Sequence, residues 1–198
     1  MREIIIASNN AGKIKEYQNA FKNLDLKLIS LIELGFQGDI AETGKTFEEN
    51  ALIKAKQLYK IYKKPVIADD SGLLVKSLPN ELGVKSKRFS KSETDDDNID
   101  LLLEKIKKQT DRSAQFVTVI CFYISDLDIR YFTGKTEGTI INHRRGKFGF
   151  GYDPVFLVKG YEKTYGELNL DEKHLLSHRG KAIDKLKRML ENENFNFK

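Results

Sequence analysis

Five short segments carry side chains able to bind and cut a charged ligand. Asp69-Asp70-Ser71-Gly72 sets two carboxylates side by side, directly after the apolar run Val66 to Ala68. Adjacent carboxylates repel unless a cation sits between them. One can hold Mg²⁺ while the other orients or deprotonates water. The carboxyl end of a strand is where ligands gather in an open α/β sheet. Ser8-Asn9-Asn10-Ala11-Gly12-Lys13 lies where an apolar run gives way to a helical pattern. Backbone N–H groups at such a junction point toward an anion, Ser8 and Asn10 add hydrogen bonds, and Lys13 adds a positive charge. Glu42-Thr43-Gly44 precedes Glu49, Asn50 and Lys54. Residues 50 and 54 share one helix face, so a Glu beside a glycine turn and a Lys can serve a metal and a phosphate. In Phe148-Gly149-Phe150-Gly151-Tyr152-Asp153-Pro154, glycines flank an aromatic ring and admit a flat ligand, with Asp153 as an acceptor. Lys173 and Ser177-His178-Arg179-Gly180-Lys181-Ala182 place cations at a helix start, where the dipole disfavours them unless they serve a ligand.

Taken singly, each segment has a plainer reading. Ser8 to Lys13 is also an ordinary N-cap turn, Asp69 to Gly72 an Asp-Ser-Gly turn, and Glu42 to Lys54 a solvated helix face. The Phe148 to Pro154 segment doubles as an aromatic core turn. Other suggestive stretches fail on spacing. Gly44-Lys45-Thr46 has Asp39 where a phosphate-binding loop needs its first Gly, and Gly134-Lys135-Thr136 fails the same test. Asp95-Asp96-Asp97 reads as a charged helix start. His143-Arg144-Arg145 with Lys147 is a basic loop that reads as solvated surface, with a substrate contact as the alternative. Cys121 lies in an apolar run and reads as a core thiol.

Strands and helices must alternate to position these segments. Glu3 to Ala7, Leu26 to Leu31, Val66 to Ala68, Ala114 to Ile124, Ile129 to Thr133 and Val155 to Val158 read as strands. A turn at Asp126 to Asp128 joins two of them into a hairpin. A helix runs to about Phe21, with Ile14, Tyr17 and Phe21 on one face. Thr46 and Glu49 have the spacing of a capping box for the next, with Phe47, Ala51, Ile53, Ala55, Leu58 and Ile61 following. Thr94 to Lys108 is a third, acidic at its start and basic at its end. Ser177 can cap a last one, striped by Ala182, Ile183, Leu186, Met189 and Leu190, and the tail from Asn192 is expected to fray. The alternation predicts an α/β fold with a mixed sheet, in one domain over 1–198.

Composition bounds the class. The chain has 198 residues, 34 Lys plus Arg against 29 Asp plus Glu, and a net charge of +5, which favours a polyanionic ligand. Its single cysteine excludes an intramolecular disulfide and a Cys-rich zinc site. The apolar run Ile4 to Ala7 is too short for a signal-peptide core, and the longest uncharged stretch, Ser113 to Ser125, falls short of the roughly 20 residues of a membrane helix. A soluble cytoplasmic protein with no membrane partner is expected. Lysines are scattered among matching acids rather than interleaved with aromatics on one face, so no nucleic-acid partner is expected either.

In this order, the five segments resemble the inosine/xanthosine triphosphate pyrophosphatase family, from Ser8 to about Ala182. Ser8 to Lys13 looks like its (S/T)-x-N-x-x-K motif, and Glu42-Thr43-Gly44 through Phe47, Glu49-Asn50-Ala51 and Lys54 like its E-T-G…F-x-E-N-A…K segment. Ile67 to Leu73 is similar to its I-A-D-D-S-G-L block, Phe148 to Phe156 to F-G-Y-D-P-x-F, and Ser177 to Ala182 to S-H-R-G-x-A. One segment departs: where the family has G-x-P-G and then S-A-R-(Y/F), this chain keeps Ser86, Arg88 and Phe89 but lacks the Pro and has Lys87 in place of Ala.

The resemblance implies an elongated two-lobed α/β fold with a central mixed sheet and a substrate cleft between lobes. It implies Mg²⁺-dependent cleavage of inosine, deoxyinosine or xanthosine triphosphate between the α and β phosphates, by a homodimer. A neighbouring pyrophosphatase type with pyrimidine substrates is the alternative. Carried over residue by residue, it makes Glu42 and Asp70 the metal ligands with Asp69 close by, and Asp70 the proton acceptor for the attacking water. Ser8, Asn9, Asn10, Ala11, Gly12, Lys13, Lys54 and Ser71 then contact the substrate, and Phe150, Gly151, Tyr152, Asp153, Lys173, His178 and Arg179 form the base pocket.

Overall fold

The computed structural model describes residues 2–192. Its strands are β1 (Arg2–Ile6), β2 (Leu26–Ser30), β3 (Val66–Val75), β4 (Ser113–Ser125), β5 (Asp128–Ile140) and β6 (Phe156–Val158). They form a sheet of order β2-β1-β3-β4-β5-β6. β1 pairs in parallel with β2 and β3, whereas β6 runs antiparallel to β5, so the sheet is mixed, as the alternation predicts. The helices are α1 (Ala11–Phe21), α2 (Phe47–Tyr62), α3 (Asp95–Lys105), α4 (Leu170–Leu176) and α5 (His178–Asn192). Among the described residues no helix is long and apolar enough to cross a membrane.

The chain divides into two compact units. Of the described residues, the first contains 2–70, Thr118–Thr133 and 180–192. Its strands alternate between two apolar layers, as the two-residue period of a strand requires. Ile4, Ile6, Ile67, Ile120 and Phe122 meet Tyr17 and Phe21 of α1 and Ile183 and Leu186 of α5. The intervening Ile5, Val66, Ala68, Cys121 and Tyr123 meet Ala51, Ala55 and Leu58 of α2. Each fully buried Ile or Leu in these layers contributes on the order of 1.5–3 kcal/mol. Ile61, expected on the buried stripe of α2, is instead exposed.

The second unit contains Ser71–Val117 and Gly134–Arg179. Leu73, Val75, Leu82, Phe116, Ile140, Phe156 and Tyr165 pack with Ile99 and Leu102 of α3 in its core. A 3₁₀ turn at Gly83–Arg88 lies against β3, where the Ser86 Oγ accepts the Leu73 amide at 2.9 Å and donates to the Gly83 carbonyl at 2.6 Å. Gly72 is obligatory there, because a Cβ would run into the Gly83 carbonyl. This is how the segment that departs from the family pattern is held.

Several boundaries differ from expectation. β3 does not end at Ala68: Asp69 to Gly72 is extended strand rather than a turn, because Leu73 and Val75 continue the alternation into the second core. β5 continues beyond Thr133 to Ile140, with Gly134, Thr136, Gly138 and Ile140 buried and Lys135, Glu137 and Thr139 exposed. Glycine at two of the inward positions hid that alternation. α3 stops at Lys105, so Lys107 and Lys108 follow the helix, and the Arg112 guanidinium binds the carbonyls of Ile106, Ile140 and Ile141 beyond its end. α4 is too short to show periodicity, and an Asn169–Glu172 capping box starts it. α5 continues through Asn192, where fraying was expected to begin, and the rest of that tail, 193–198, lies outside the described residues.

Candidate active site

The strand period separates the two adjacent aspartates. Asp69 follows Ile67 toward α1, and Asp70 follows Val66 and Ala68 toward α2. The side-chain partners agree: Asp69 pairs with Lys13 of α1 at 2.8 Å, and Asp70 accepts from Asn50 Nδ2 of α2 at 3.0 Å. The expectation of one cation held between neighbouring carboxylates is therefore corrected. On a strand, successive side chains leave opposite faces, and each carboxylate has its own lysine.

Lys54 organises the α2 side. Its ammonium lies 2.9 Å from Glu42 Oε1, 3.9 Å from Asp70 Oδ1 and 2.6 Å from the Asp69 carbonyl. Asn50 precedes it by one turn, and its Oδ1 accepts the Gly44 amide at 2.8 Å, which turns its NH₂ toward Asp70. Gly44 leaves no room for a Cβ against Glu49 and Asn50, which explains the glycine beside Glu42 and Thr43. The capping box forms as its spacing predicts, with Thr46 Oγ1 accepting the Glu49 amide at 3.1 Å. Asp70 is 6% exposed. Burial raises its carboxyl above the usual range and Glu42 adds to that, while Lys54, Asn50 and Lys13 offset only part. Asn50 is drawn into the site although its sequence position suggested only a shared face with Lys54.

The Ser8 to Lys13 segment joins β1 to α1. Asn10 caps the helix by accepting the Lys13 amide at 3.1 Å, and Ser8 Oγ accepts the Asn10 amide at 3.1 Å. The N-cap turn is thus real, and Asn9, Asn10 and Ala11 remain exposed around it. The first turn of α1 contains no acid.

Glu42, Asp69 and Asp70 place three carboxylates with the two ammonium groups of Lys13 and Lys54, a formal balance of 2 − 3 = −1 when all are ionised. Such a cluster repels a polyanion unless a further cation joins it. Glu42 and Asp70 present hard oxygen donors, the ligand type Mg²⁺ prefers. Among the described residues no group of three His, Cys, Asp or Glu side chains is arranged to hold a metal ion by itself. Mg²⁺ is commonly held by one or two carboxylates and completed by waters and phosphate oxygens, so this donor set fits it.

In the second unit, the Phe148 to Asp153 turn has glycines at φ 78° (Gly149) and φ 59° (Gly151). A Cβ on Gly149 would collide with the Asp153 carboxylate. That carboxylate accepts the Phe150 amide at 2.9 Å and the Lys173 ammonium at 2.7 Å. Over the Phe150 ring sit the Lys173 ammonium at 4.7 Å and the Arg179 guanidinium at 5.6 Å. Arg179 also donates to Ser71 Oγ at 3.0 Å. His178 stacks on Phe116 at 4.6 Å with 9° between planes. Lys173, His178 and Arg179 are all buried. Tyr152 turns away to donate to the Ser86 carbonyl at 2.8 Å. The structure thus brings Ser71, Phe150, Asp153, Lys173 and Arg179 together, with His178 beside them.

The other suggestive segments are bound up internally. Arg144 pairs with Asp100 at 2.8 Å and Asp96 at 3.5 Å, and Arg145 with Glu167 at 2.9 Å, which ties the two arginines of the basic loop to the scaffold. Cys121 is buried, and burial pushes its thiol up to about 12. Asp95 begins α3, as expected, but its carboxylate also accepts the Gly151 amide at 2.7 Å, a contact no sequence signal announced.

Relatives repeat this organisation over nearly the whole chain. The Ham1 family model matches residues 4–189. A Bacillus subtilis protein named dITP/XTP pyrophosphatase is 42% identical over 194 residues, 96% of this chain and 98% of its own length. The Staphylococcus aureus Ham1 protein, a solved structure, superposes with a TM-score of 0.87 at 44% identity, covering 97% of this chain and 100% of that one. The Coxiella burnetii HAM1 protein gives 0.88 at 41% identity, over 96% of this chain and 99% of that one. With a family model spanning nearly every described residue and relatives above 40% identity, the chain belongs to the Ham1 family.

Proposed function

We propose that this chain hydrolyses non-standard purine nucleoside triphosphates, those of inosine, deoxyinosine and xanthosine, to nucleoside monophosphate and pyrophosphate with Mg²⁺. The observation that carries the reading is the pairing of buried Asp69, Asp70 and Lys54 with the partly exposed Glu42 and Lys13. Relatives that share 42–45% of the sequence are named dITP/XTP pyrophosphatase, which supports the same reaction class.

In this reading Lys13, Lys54 and the Ser8 to Lys13 segment take the triphosphate, and Phe150, Lys173 and Arg179 take the base. A triphosphate carries about four negative charges, which Lys13, Lys54 and the amides of the Ser8 to Lys13 segment meet. Glu42 and Asp70 would hold the Mg²⁺, with Asp69 keeping Lys13 in place. When bound there, Mg²⁺ supplies charge neutralisation for the phosphate oxygens. Asp70 accepts the proton of the attacking water, and Asn50 and Lys54 hold its carboxylate in line. Phe150 offers a stacking face for the purine, and Lys173 and Arg179 are donors only. Such donors meet the 6-carbonyl of inosine or xanthosine and leave the 6-amino group of adenine facing a donor. Each mismatch costs on the order of 1–3 kcal/mol. The same reading includes a homodimer and a cytoplasmic location.

A nucleoside triphosphate panel with Mg²⁺ tests this. Inosine and xanthosine triphosphates are expected to turn over far faster than adenosine and the pyrimidine triphosphates. Equal kcat/KM for inosine and adenosine triphosphates would defeat it, and preference for a pyrimidine would favour the alternative substrate class.

A further inference from the structure

The Phe148 to Asp153 turn is fastened at two consecutive amides by two different carboxylates. Asp153 takes the Phe150 amide from within the turn, at 2.9 Å. Asp95 takes the Gly151 amide from the first residue of α3, at 2.7 Å and 56 positions away in the chain. Glycines at positive φ on both sides of Phe150 give this turn little stiffness of its own, so its shape depends on such anchors.

Asp95 is itself well anchored. Thr94 caps its helix, Arg144 pairs with Asp96 and Asp100 on the same helix, and Lys87 lies 2.9 Å from the other Asp95 oxygen. The neighbouring aspartates have different work: Asp96 meets Arg144, and Asp97 meets Ser92 and Thr94. Asp95 is the one of the three that reaches the turn.

We propose that Asp95 is a positioning residue whose carboxylate, by accepting the Gly151 amide, holds the turn in the form that presents the Phe150 ring to a purine. The inference rests on the reading of Phe150 as the base-stacking face. The ring lies 4.7 Å from the Lys173 ammonium and 5.6 Å from the Arg179 guanidinium, so release of the turn moves it away from the donors that would read the base. Lys87 is the minor partner, since an exposed ion pair contributes little.

The test combines hydrogen exchange with steady-state kinetics on the full chain. Asp95→Ala is expected to speed exchange of the Gly151 amide and to raise KM for inosine triphosphate about tenfold, with kcat within about twofold, because base stacking is uniform binding. Inhibition by inorganic tripolyphosphate, which has no base, is expected to stay unchanged. Asp95→Asn keeps an acceptor oxygen and is expected to stay within about threefold of wild-type KM. Asp95→Glu keeps the charge and the acidic helix start but displaces the acceptor, and is expected to raise KM several-fold, which preserves the test if the alanine variant folds poorly. An unchanged Gly151 exchange rate, an unchanged KM, or equal damage from Asn and Ala would each overturn the proposal. A wild-type chain without preference for inosine over adenosine triphosphate would defeat the functional reading alone. Gly151 exchange would then still decide whether Asp95 holds the turn.

Discussion

Replacing Asp70 by Asn is expected to cripple the enzyme and stabilise the fold. Asp70 is 6% exposed, and burial is the largest influence on its carboxyl, raising its pKa. An acid with a higher pKa folded than unfolded binds more protons in the folded state. Its contribution to stability is complete below the unperturbed value of about 3.9 and is lost as pH rises through the raised one. At pH 7 the ionised carboxylate is a standing cost. An Asn offers its amide oxygen to Asn50 Nδ2, now 3.0 Å from the carboxylate, and forgoes an attraction to Lys54 at 3.9 Å. The net gain is about 1 kcal/mol, or about 2–4 °C in Tm for a chain of this size. Turnover falls at least about a hundredfold, since an amide neither accepts a proton from water nor offers a full charge to a metal. Thermal melting in chelator at pH 7 and at pH 3.5, beside pyrophosphate release with Mg²⁺, measures both effects. The stability gap is expected to close at the lower pH. An Asn variant that melts below wild type at pH 7 would refute the desolvation argument, and undiminished turnover would move the catalytic centre elsewhere.

Lys13→Met leaves Asp69, 2% exposed, without the ammonium at 2.8 Å, and is expected to destabilise the chain by about 3 kcal/mol in urea unfolding. A loss under about 1 kcal/mol would show that the pair is not needed to keep Asp69 buried. Arg179→Ala is expected to narrow the ratio of kcat/KM for inosine over adenosine triphosphate more than it weakens inhibition by tripolyphosphate; unchanged selectivity would remove Arg179 from base reading. Cys121, with its thiol pushed up to about 12 by burial, is expected to stay unreactive to a thiol reagent at pH 8 in the native chain and to react on unfolding. Rapid native labelling would contradict its place in the core.

Residues with strong local signals were legible from sequence. The Thr46–Glu49 capping box, the apolar faces of α1 and α5, and the β1 and β4 strands stand where spacing put them. The extension of β3 through Asp69 to Gly72 was missed because two carboxylates, a serine and a glycine carry turn-like local preferences. Packing of Leu73 and Val75 overrides those preferences. Of the site, the chemistry-bearing residues were readable and their partners were not. That Asp69 and Asp70 leave opposite faces follows only once Asp69 and Asp70 are known to be strand. That Asp95 meets Gly151 is a long-range contact between a helix start and a glycine turn, which no periodicity encodes.

Product analysis with a single substrate reaches the central claim most directly. Inosine triphosphate incubated with the chain and Mg²⁺ is predicted to give inosine monophosphate and pyrophosphate in equal amounts from the earliest time points, with no diphosphate intermediate. Accumulation of inosine diphosphate with stoichiometric phosphate would contradict it, because the cluster of Glu42, Asp70 and Lys54 would then be serving the terminal phosphate rather than the bond between the α and β phosphates.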